Sequence, residues 1–99
     1  MTSSNSGEIT LSSHVSVASN QITSQLGDES VILGLNDGMY YGLNSIGTRI
    51  WGLLDRSRSV REVCEVIQEE YEVGSAECEQ AVLTLLRDLQ ERALVEVQP

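Results

Sequence analysis

The sequence predicts an α+β fold: a three-stranded antiparallel sheet followed by three helices, similar to a winged helix. Apolar and polar residues alternate between residues 21 and 43, with turn signals at 27–28 and 36–38, which is typical of short strands. After residue 44 the apolar spacing changes to three and four residues in three successive runs, which predicts three amphipathic helices. A length of 99 residues fits one domain with a single modest core.

The third predicted strand is the run MYYGL, residues 39–43, and the loop before it sets which side chains share a face. A two-residue turn at Asp37-Gly38 would place Leu35 opposite Tyr40 and divide the apolar residues between both faces. We therefore favour a three-residue loop, 36–38, in which Gly38 adopts a positive φ. In that register one face carries Val31, Leu33, Leu35, Met39, Tyr41 and Leu43.

The helices are predicted to be N-capped by Asn44, Ser59 and Ser75. Glu62 is predicted to be the capping-box partner of Ser59. The inner stripe of the first helix is Ile46, Ile50, Leu53 and Leu54, and that of the second is Val60, Val63, Cys64, Ile67 and Tyr71. The third helix has the stripe Cys78, Val82, Leu85 and Leu89, which Leu83 and Leu86 widen sideways. The final ALVEV is predicted to be either a short strand or an extended segment over the core.

The N-terminal part of the chain differs in composition from the rest. Residues 1–14 are rich in Ser, Thr and Asn and are predicted to form a flexible polar segment, whereas residues 15–99 form the domain. The start MTSSNSGEIT lacks the basic flank and apolar centre of a secretory signal, and no apolar run reaches the roughly 18 residues that cross a bilayer. We therefore expect a cytoplasmic protein.

The charge of the chain argues against nucleic acid and membrane partners. The net charge is −9 and the isoelectric point is about 4.3, so the mean field repels phosphates and anionic lipids. A DNA-binding winged-helix regulator is an alternative that the order of elements raises. The recognition helix of such a regulator needs basic or amide side chains on its outer face. The outer face of the third predicted helix is instead mainly acidic, with Glu77, Glu79, Asp88 and Glu91 against Arg87 and Arg92.

The residue types needed for catalysis or metal binding are sparse. His14 is the only histidine and lies in the polar segment, which leaves no evident general base. Cys64 and Cys78 lie outside any C-x-x-C pairing and are predicted to be reduced, partly buried thiols rather than zinc ligands. The sequence also has no glycine-rich loop of phosphate-binding form. It therefore predicts a protein that is not an enzyme and that holds no cofactor or metal.

The third predicted strand is an edge strand if the three strands form a meander and the C-terminal segment does not return to it. Residues 39–43 contain no Lys, Pro or inward charge, the features that normally protect an edge from pairing with another chain. The strand is therefore predicted to accept an added strand, either from a peptide or from a second copy of this chain in a homodimer. Leu83 and Leu86 would either form a ledge beside Met39 and Tyr41 or complete the core.

A motif that spans the third strand and the first helix resembles that of a known family. The pattern G-x-Y-Y-x-L-N-x-x-G-x-x-I-W begins at Gly38 and ends at Trp51, and SVREVCEVIQEEYEV and LQERALVEV follow it. The chain is similar to the PqqD-like family, also called RiPP recognition elements, over residues 21–97. The resemblance implies three antiparallel strands and three helices, and a function in binding the leader segment of ribosomally made precursor peptides.

The resemblance also implies a site and partners. In that family the leader is added as a strand beside strand three, with its side chains against helix three. The peptide-binding residues implied for this chain are Met39, Tyr40, Tyr41, Gly42, Glu79, Val82, Leu83 and Leu86. Within the family the chain is most similar to the stand-alone leader-binding protein of lasso-peptide pathways, whose partners are a leader peptidase and then a macrocyclase. Chaperones of quinone-cofactor maturation share the fold and present a peptide to a radical enzyme, which leaves that role as an alternative.

Overall fold

The structure, a computed structural model, describes residues 8–98. Within this range the chain forms three helices and two antiparallel sheets, so the predicted α+β fold is confirmed. The third predicted strand corresponds to β4. The elements in chain order are β1 (His14–Val17), β2 (Gln21–Leu26), β3 (Glu29–Gly34), β4 (Tyr40–Leu43), α1 (Ser45–Leu53), β5 (Arg58–Ser59), α2 (Val60–Tyr71), α3 (Ser75–Glu91) and β6 (Val95–Gln98).

The central sheet has the strand order β2-β3-β4, and its last pairing differs from the prediction. Ile32 lies opposite Tyr41, so the predicted register is wrong by one residue. The loop between β3 and β4 has four residues, 35–38, because the Gly34 N–H donates to the Met39 carbonyl at 2.9 Å. Gly38 has the predicted positive φ, at 69°.

The observed register changes which side chains reach the core. Ser30, Ile32 and Gly34 are buried, whereas Val31 and Leu33 are half-buried on the opposite face of β3. The predicted grouping of Val31, Leu33 and Leu35 with Met39, Tyr41 and Leu43 on one face is therefore wrong. The sequence does not distinguish the two faces, because three apolar residues in succession, 31–33, supply both of them.

A second sheet has the order β5-β1-β6. β1 pairs along its whole length with β6, from His14 opposite Gln98 to Val17 opposite Val95. The C-terminal ALVEV is thus a strand, as one of the two alternatives predicted, and it pairs with β1 rather than with β4. β1 and β5 were not predicted, because strands of two to four residues give no clear alternation.

The domain begins earlier than the predicted boundary between residues 14 and 15. Ile9 is fully buried, and the carbonyls of Leu11 and Ser13 accept the N–H groups of Arg61 and Val60 at 3.0 and 2.9 Å. Residues 8–14 therefore pack with the domain, and His14 starts β1. The rest of the predicted flexible segment, residues 1–7, lies outside the described residues.

Two of the three predicted helix caps are observed. The Asn44 side chain accepts the Gly47 N–H at 2.8 Å, and Ser59 and Glu62 form the predicted capping box at the start of α2. The prediction for α3 is wrong: Gly74 is the N-cap and Ser75 is the first helical residue. The free amides of this first turn carry partial positive charge, which Glu77 complements.

The core lies between the helices and the inner faces of the sheets, and one assignment changes in the predicted stripe of each helix. In α3 the buried residues are Cys78, Val82, Leu86 and Leu89, so Leu86 replaces the predicted Leu85 in the inner stripe. Ile46 and Tyr71, both predicted to face inward, are 38% exposed. The helices therefore leave apolar side chains outside the core on the side where Leu85 lies.

Candidate functional site

One edge of the central sheet is open. Among the described residues β4 pairs with β3 alone, and its other side has no strand. The Gly34 N–H donates towards β4, whereas the Leu35 N–H donates to Asn20 before β2. Because neighbouring residues of an antiparallel strand point their backbone groups to opposite sides, Tyr41 bonds to β3 and the N–H and C=O of Tyr40 and Gly42 point outward.

The open edge has none of the usual protection against pairing. β4 has the sequence YYGL, without a charge or a proline. A Cβ atom placed on Gly42 would meet no heavy atom within 4 Å, so glycine is not required there by packing within the chain. The open space around Gly42 leaves this part of the edge accessible to an added strand.

An apolar groove runs between this edge and α3. One part of it is a cavity of about 360 Å³ with walls from β4, α1 and α3, among them Tyr41, Gly42, Ile46, Ile50, Ala81 and Leu85. A shallower concavity continues along α3, past Ala81 and Leu85 to Glu77, Thr84 and Asp88. We call this surface the groove. Its lining includes leucine, isoleucine and alanine side chains and the carboxylates of Glu77 and Asp88.

Tyr41 links the two walls of the groove. Its hydroxyl donates to Asp88 Oδ2 at 2.7 Å, and Asp88 Oδ1 lies 3.4 Å from Arg92 Nε. The Arg92 guanidinium lies 4.8 Å from the centre of the Tyr41 ring, in a cation–π contact. Partial burial, the hydrogen bond to Asp88 and the charge of Asp88 raise the pKa of Tyr41 to about 12, so the phenol is neutral at physiological pH.

The predicted strand residues and the predicted helix residues have different positions. Met39 and Tyr40 are 59% and 69% exposed, Gly42 is exposed, and Tyr41 is half-buried in the groove. Val82 and Leu86 are at most 1% exposed and belong to the core. Successive helix residues turn by about 100°, which puts Glu79 and Leu83 on the far side of the core stripe from the groove.

The helix side that faces the groove carries Ala81, Thr84, Leu85 and Asp88, none of which the resemblance implied as a peptide-binding residue. Leu83 lies at one border of the apolar arc of α3 and Leu85 at the other. The width of this arc predicts an apolar ledge on the helix, but it does not tell which of the two borders faces β4. No sequence signal marks Asp88, since its partner Tyr41 is 47 residues away.

The outer face of the central sheet is a second apolar surface. Ile22, Leu33 and Tyr40 lie side by side across the three strands, and Leu26 is 67% exposed on the same face. We call these four residues the outer sheet face. It lies on the side of the sheet opposite Tyr41, so a strand added at β4 would leave it exposed.

The two cysteines are free, as predicted, and are more fully buried than the predicted partial burial. The Cys78 thiol donates to the Cys64 carbonyl at 3.6 Å, which links α2 and α3 inside the core. Burial raises the pKa of Cys64 to about 12, so its thiol is protonated and has little nucleophilic character at neutral pH.

A model of the family described as "Coenzyme PQQ synthesis protein D (PqqD)" matches residues 29–95, which include β3, β4 and all three helices. The chain belongs to the PqqD family. Among solved structures this PqqD-family chain is similar to "TbiB1 in Complex with the TbiA(beta) Leader Peptide", with 32% sequence identity and a TM-score of 0.77. The alignment covers 82% of this chain and 94% of TbiB1. No curated protein matches the chain.

The comparisons confirm the resemblance drawn from the motif between Gly38 and Trp51. The family match includes β4, α1 and α3, which form the walls of the groove. In the described part of the chain, no helix has the length and apolar character needed to cross a membrane.

Proposed function

We propose that this chain is a non-catalytic recognition module that binds the leader segment of a ribosomally synthesised precursor peptide. The leader is added as a strand along the open edge of β4, with alternate side chains in the groove against α3. The observation that carries the proposal is an uncharged open edge beside an apolar groove, in a chain similar to a protein solved with a leader peptide.

Strand addition uses the backbone groups that β4 leaves unpaired. The N–H and C=O groups of Tyr40 and Gly42 point away from β3 and supply hydrogen bonds that do not depend on peptide sequence. Selectivity comes from the groove, where Ala81 and Leu85 lie across from Tyr41. On α3 the peptide contacts these two residues with Thr84 and Asp88, in place of the implied Glu79, Val82, Leu83 and Leu86.

The finer role that we propose is delivery of the precursor to a leader peptidase and then to a macrocyclase, as in lasso-peptide maturation. A tethered substrate reaches local concentrations that approach millimolar for a short linker, so moderate affinity and fast release suffice. The outer sheet face stays exposed when β4 is paired, which leaves an apolar surface for a partner enzyme.

A second candidate function is presentation of a precursor peptide to a radical maturation enzyme. The description of the matched family, which concerns synthesis of the coenzyme PQQ, favours it. Both roles use the same peptide groove and differ in the enzyme that receives the peptide. Activity of a purified leader peptidase on the bound precursor distinguishes them, because only the delivery role predicts accelerated leader cleavage.

Fluorescence anisotropy of labelled leaders tests the shared step. The probes are the TbiA(beta) leader and a candidate leader from any precursor gene found near this chain's gene, each with a scrambled control. We expect saturable binding with a Kd near micromolar or tighter, about −8 kcal/mol, for at least one leader. A folded protein that binds neither leader contradicts the proposal, and a monomer–dimer transition in sedimentation would then assign the β4 edge to a second copy.

Two variants of Gly42 separate strand addition from other modes of binding. Gly42→Pro removes an N–H that points outward and costs no bond to β3, while Gly42→Ala keeps that N–H and adds a methyl group in open space. We expect Gly42→Pro to weaken binding about tenfold or more and Gly42→Ala to bind as wild type. Equal binding by the two variants, with equal thermal stability, would exclude backbone pairing at this position.

A further inference from the structure

A second apolar cavity lies between the three helices, beyond the end of β4. It measures about 200 Å³, and its walls include Ile46 and Ile50 from α1, Tyr71 from α2, Val73 between the helices, and Ala81 from α3. We call it the helix pocket. No residue of β4 lines it, so a peptide side chain paired with β4 is not the group that fills it.

The helix pocket adjoins the groove. Ile46, Ile50 and Ala81 are walls of both cavities. Ile46 and Tyr71 remain 38% exposed although their spacing placed them on the inner stripes of α1 and α2. Tight packing of the helices would have buried both side chains. The space they leave is several times the roughly 30 Å³ that a water molecule occupies in the liquid.

We propose that the helix pocket is a second subsite, which takes one aliphatic or aromatic side chain from a peptide residue outside the segment paired with β4. The proposal rests on the function proposed above, because the occupant is the same bound leader. We choose the leader as the occupant because of the shared walls. A bound peptide that leaves the groove past Ile46 and Ala81 runs next to the helix pocket.

A second anchor would solve a problem that strand addition leaves open. Backbone bonds to Tyr40 and Gly42 are the same for every peptide sequence, and a slip of one residue exchanges the two faces of the added strand. An apolar residue held in the helix pocket fixes the distance from the paired segment. It therefore sets the register and selects leaders with apolar residues at a defined spacing.

The test uses the full chain and the tightest peptide selected against it from a random library of about twenty residues. Val73→Glu places a carboxylate in the helix pocket, and Ile22→Glu makes the same charge change on the outer sheet face, where Ile22 is 55% exposed. We expect Val73→Glu to weaken binding about tenfold and Ile22→Glu to change it less than about twofold. Equal affinities for the two variants would overturn the second subsite.

An alanine scan of the selected peptide, repeated with Tyr71→Ala, keeps the test valid if Val73→Glu does not fold. Tyr71 is partly exposed, so its truncation removes a pocket wall without opening the core. We expect one apolar peptide residue, outside the paired segment, whose replacement weakens binding to wild type but much less to Tyr71→Ala. A scan without such a residue overturns the proposal.

The Gly42 variants show which of the two proposals has failed. Loss of binding in Gly42→Pro with normal binding in Val73→Glu keeps strand addition and rejects the helix pocket. Normal binding in Gly42→Pro with loss in Val73→Glu rejects strand addition and keeps the pocket as a peptide site.

Discussion

Tyr41 joins the strand and helix sides of the groove through a single side chain. Its hydroxyl bonds to Asp88 across 47 residues of sequence, and Arg92 contacts both its ring and Asp88. The ring lines the groove and also packs against the core cluster. Truncation to alanine would therefore damage folding and binding together, and a smaller change is needed to separate them.

Tyr41→Phe makes that smaller change. It removes the O–H donor and keeps the ring, while Asp88 retains Arg92 and solvent as partners. We expect the free energy of unfolding to fall by about 1 kcal/mol and peptide affinity to change less than about threefold. Urea denaturation and anisotropy measure the two effects. A large loss of affinity with unchanged unfolding would instead assign the hydroxyl to the peptide.

At the level of whole elements, α3 has two sides with different partners. The buried stripe belongs to the core, where α3 packs against α2 and β6, and Leu85 and Leu83 lie half-buried on either side of it. Leu85 faces β4 across the groove, whereas Leu83 does not line it. The same residue type at similar burial therefore provides a matched pair of positions on one helix.

The pair Leu85→Glu and Leu83→Glu tests which side of α3 binds the peptide. We expect Leu85→Glu to weaken binding more than about tenfold, because the carboxylate would lose water beside the bound strand. Leu83→Glu should cost stability, through its lost packing against the core, with affinity near wild type. Circular dichroism melts and anisotropy report both quantities. The opposite order of affinities would place the peptide on the Glu79 and Leu83 side.

At the level of the whole molecule, three groups whose pKa values are raised by burial make stability depend on alkaline pH: Tyr41, Cys64 and Cys78. The pKa values of Tyr41 and Cys64 are raised to about 12 in the folded protein, chiefly by burial. Because the unfolded chain loses these protons near its ordinary pKa values of about 9 to 10, it is favoured as the pH rises. The stabilisation is fully present below pH 9 and is lost between about pH 9 and 12.

We therefore expect the melting temperature to fall steadily from pH 9 upward. The slope should be smaller in Tyr41→Phe, which lacks one of these three groups, than in wild type. Thermal melts in a buffer series of constant ionic strength measure it. Identical slopes in the two proteins would mean that Tyr41 titrates alike in the folded and unfolded chain.

The sequence by itself determined the local features. Asn44 and Ser59 cap helices because a side-chain oxygen three residues from an amide acts within one turn. Gly38 takes a positive φ because the turn demands it, and the absence of charge in β4 can be read directly. The motif from Gly38 to Trp51 likewise predicted the family, because it includes the turn before β4, the strand itself, the Asn44 cap and most of α1.

Only the tertiary structure decided how the two faces of each element are used. The four-residue loop put Ile32 rather than Leu33 inside, and the rotation of α3 put Leu86 in the core and Leu85 in the groove. Neighbouring residues in these runs are all apolar, so burial energy from the sequence alone is nearly the same for either choice. The choice depends on contacts between distant segments, such as Tyr41 with Asp88 and β6 with β1, that no local pattern encodes.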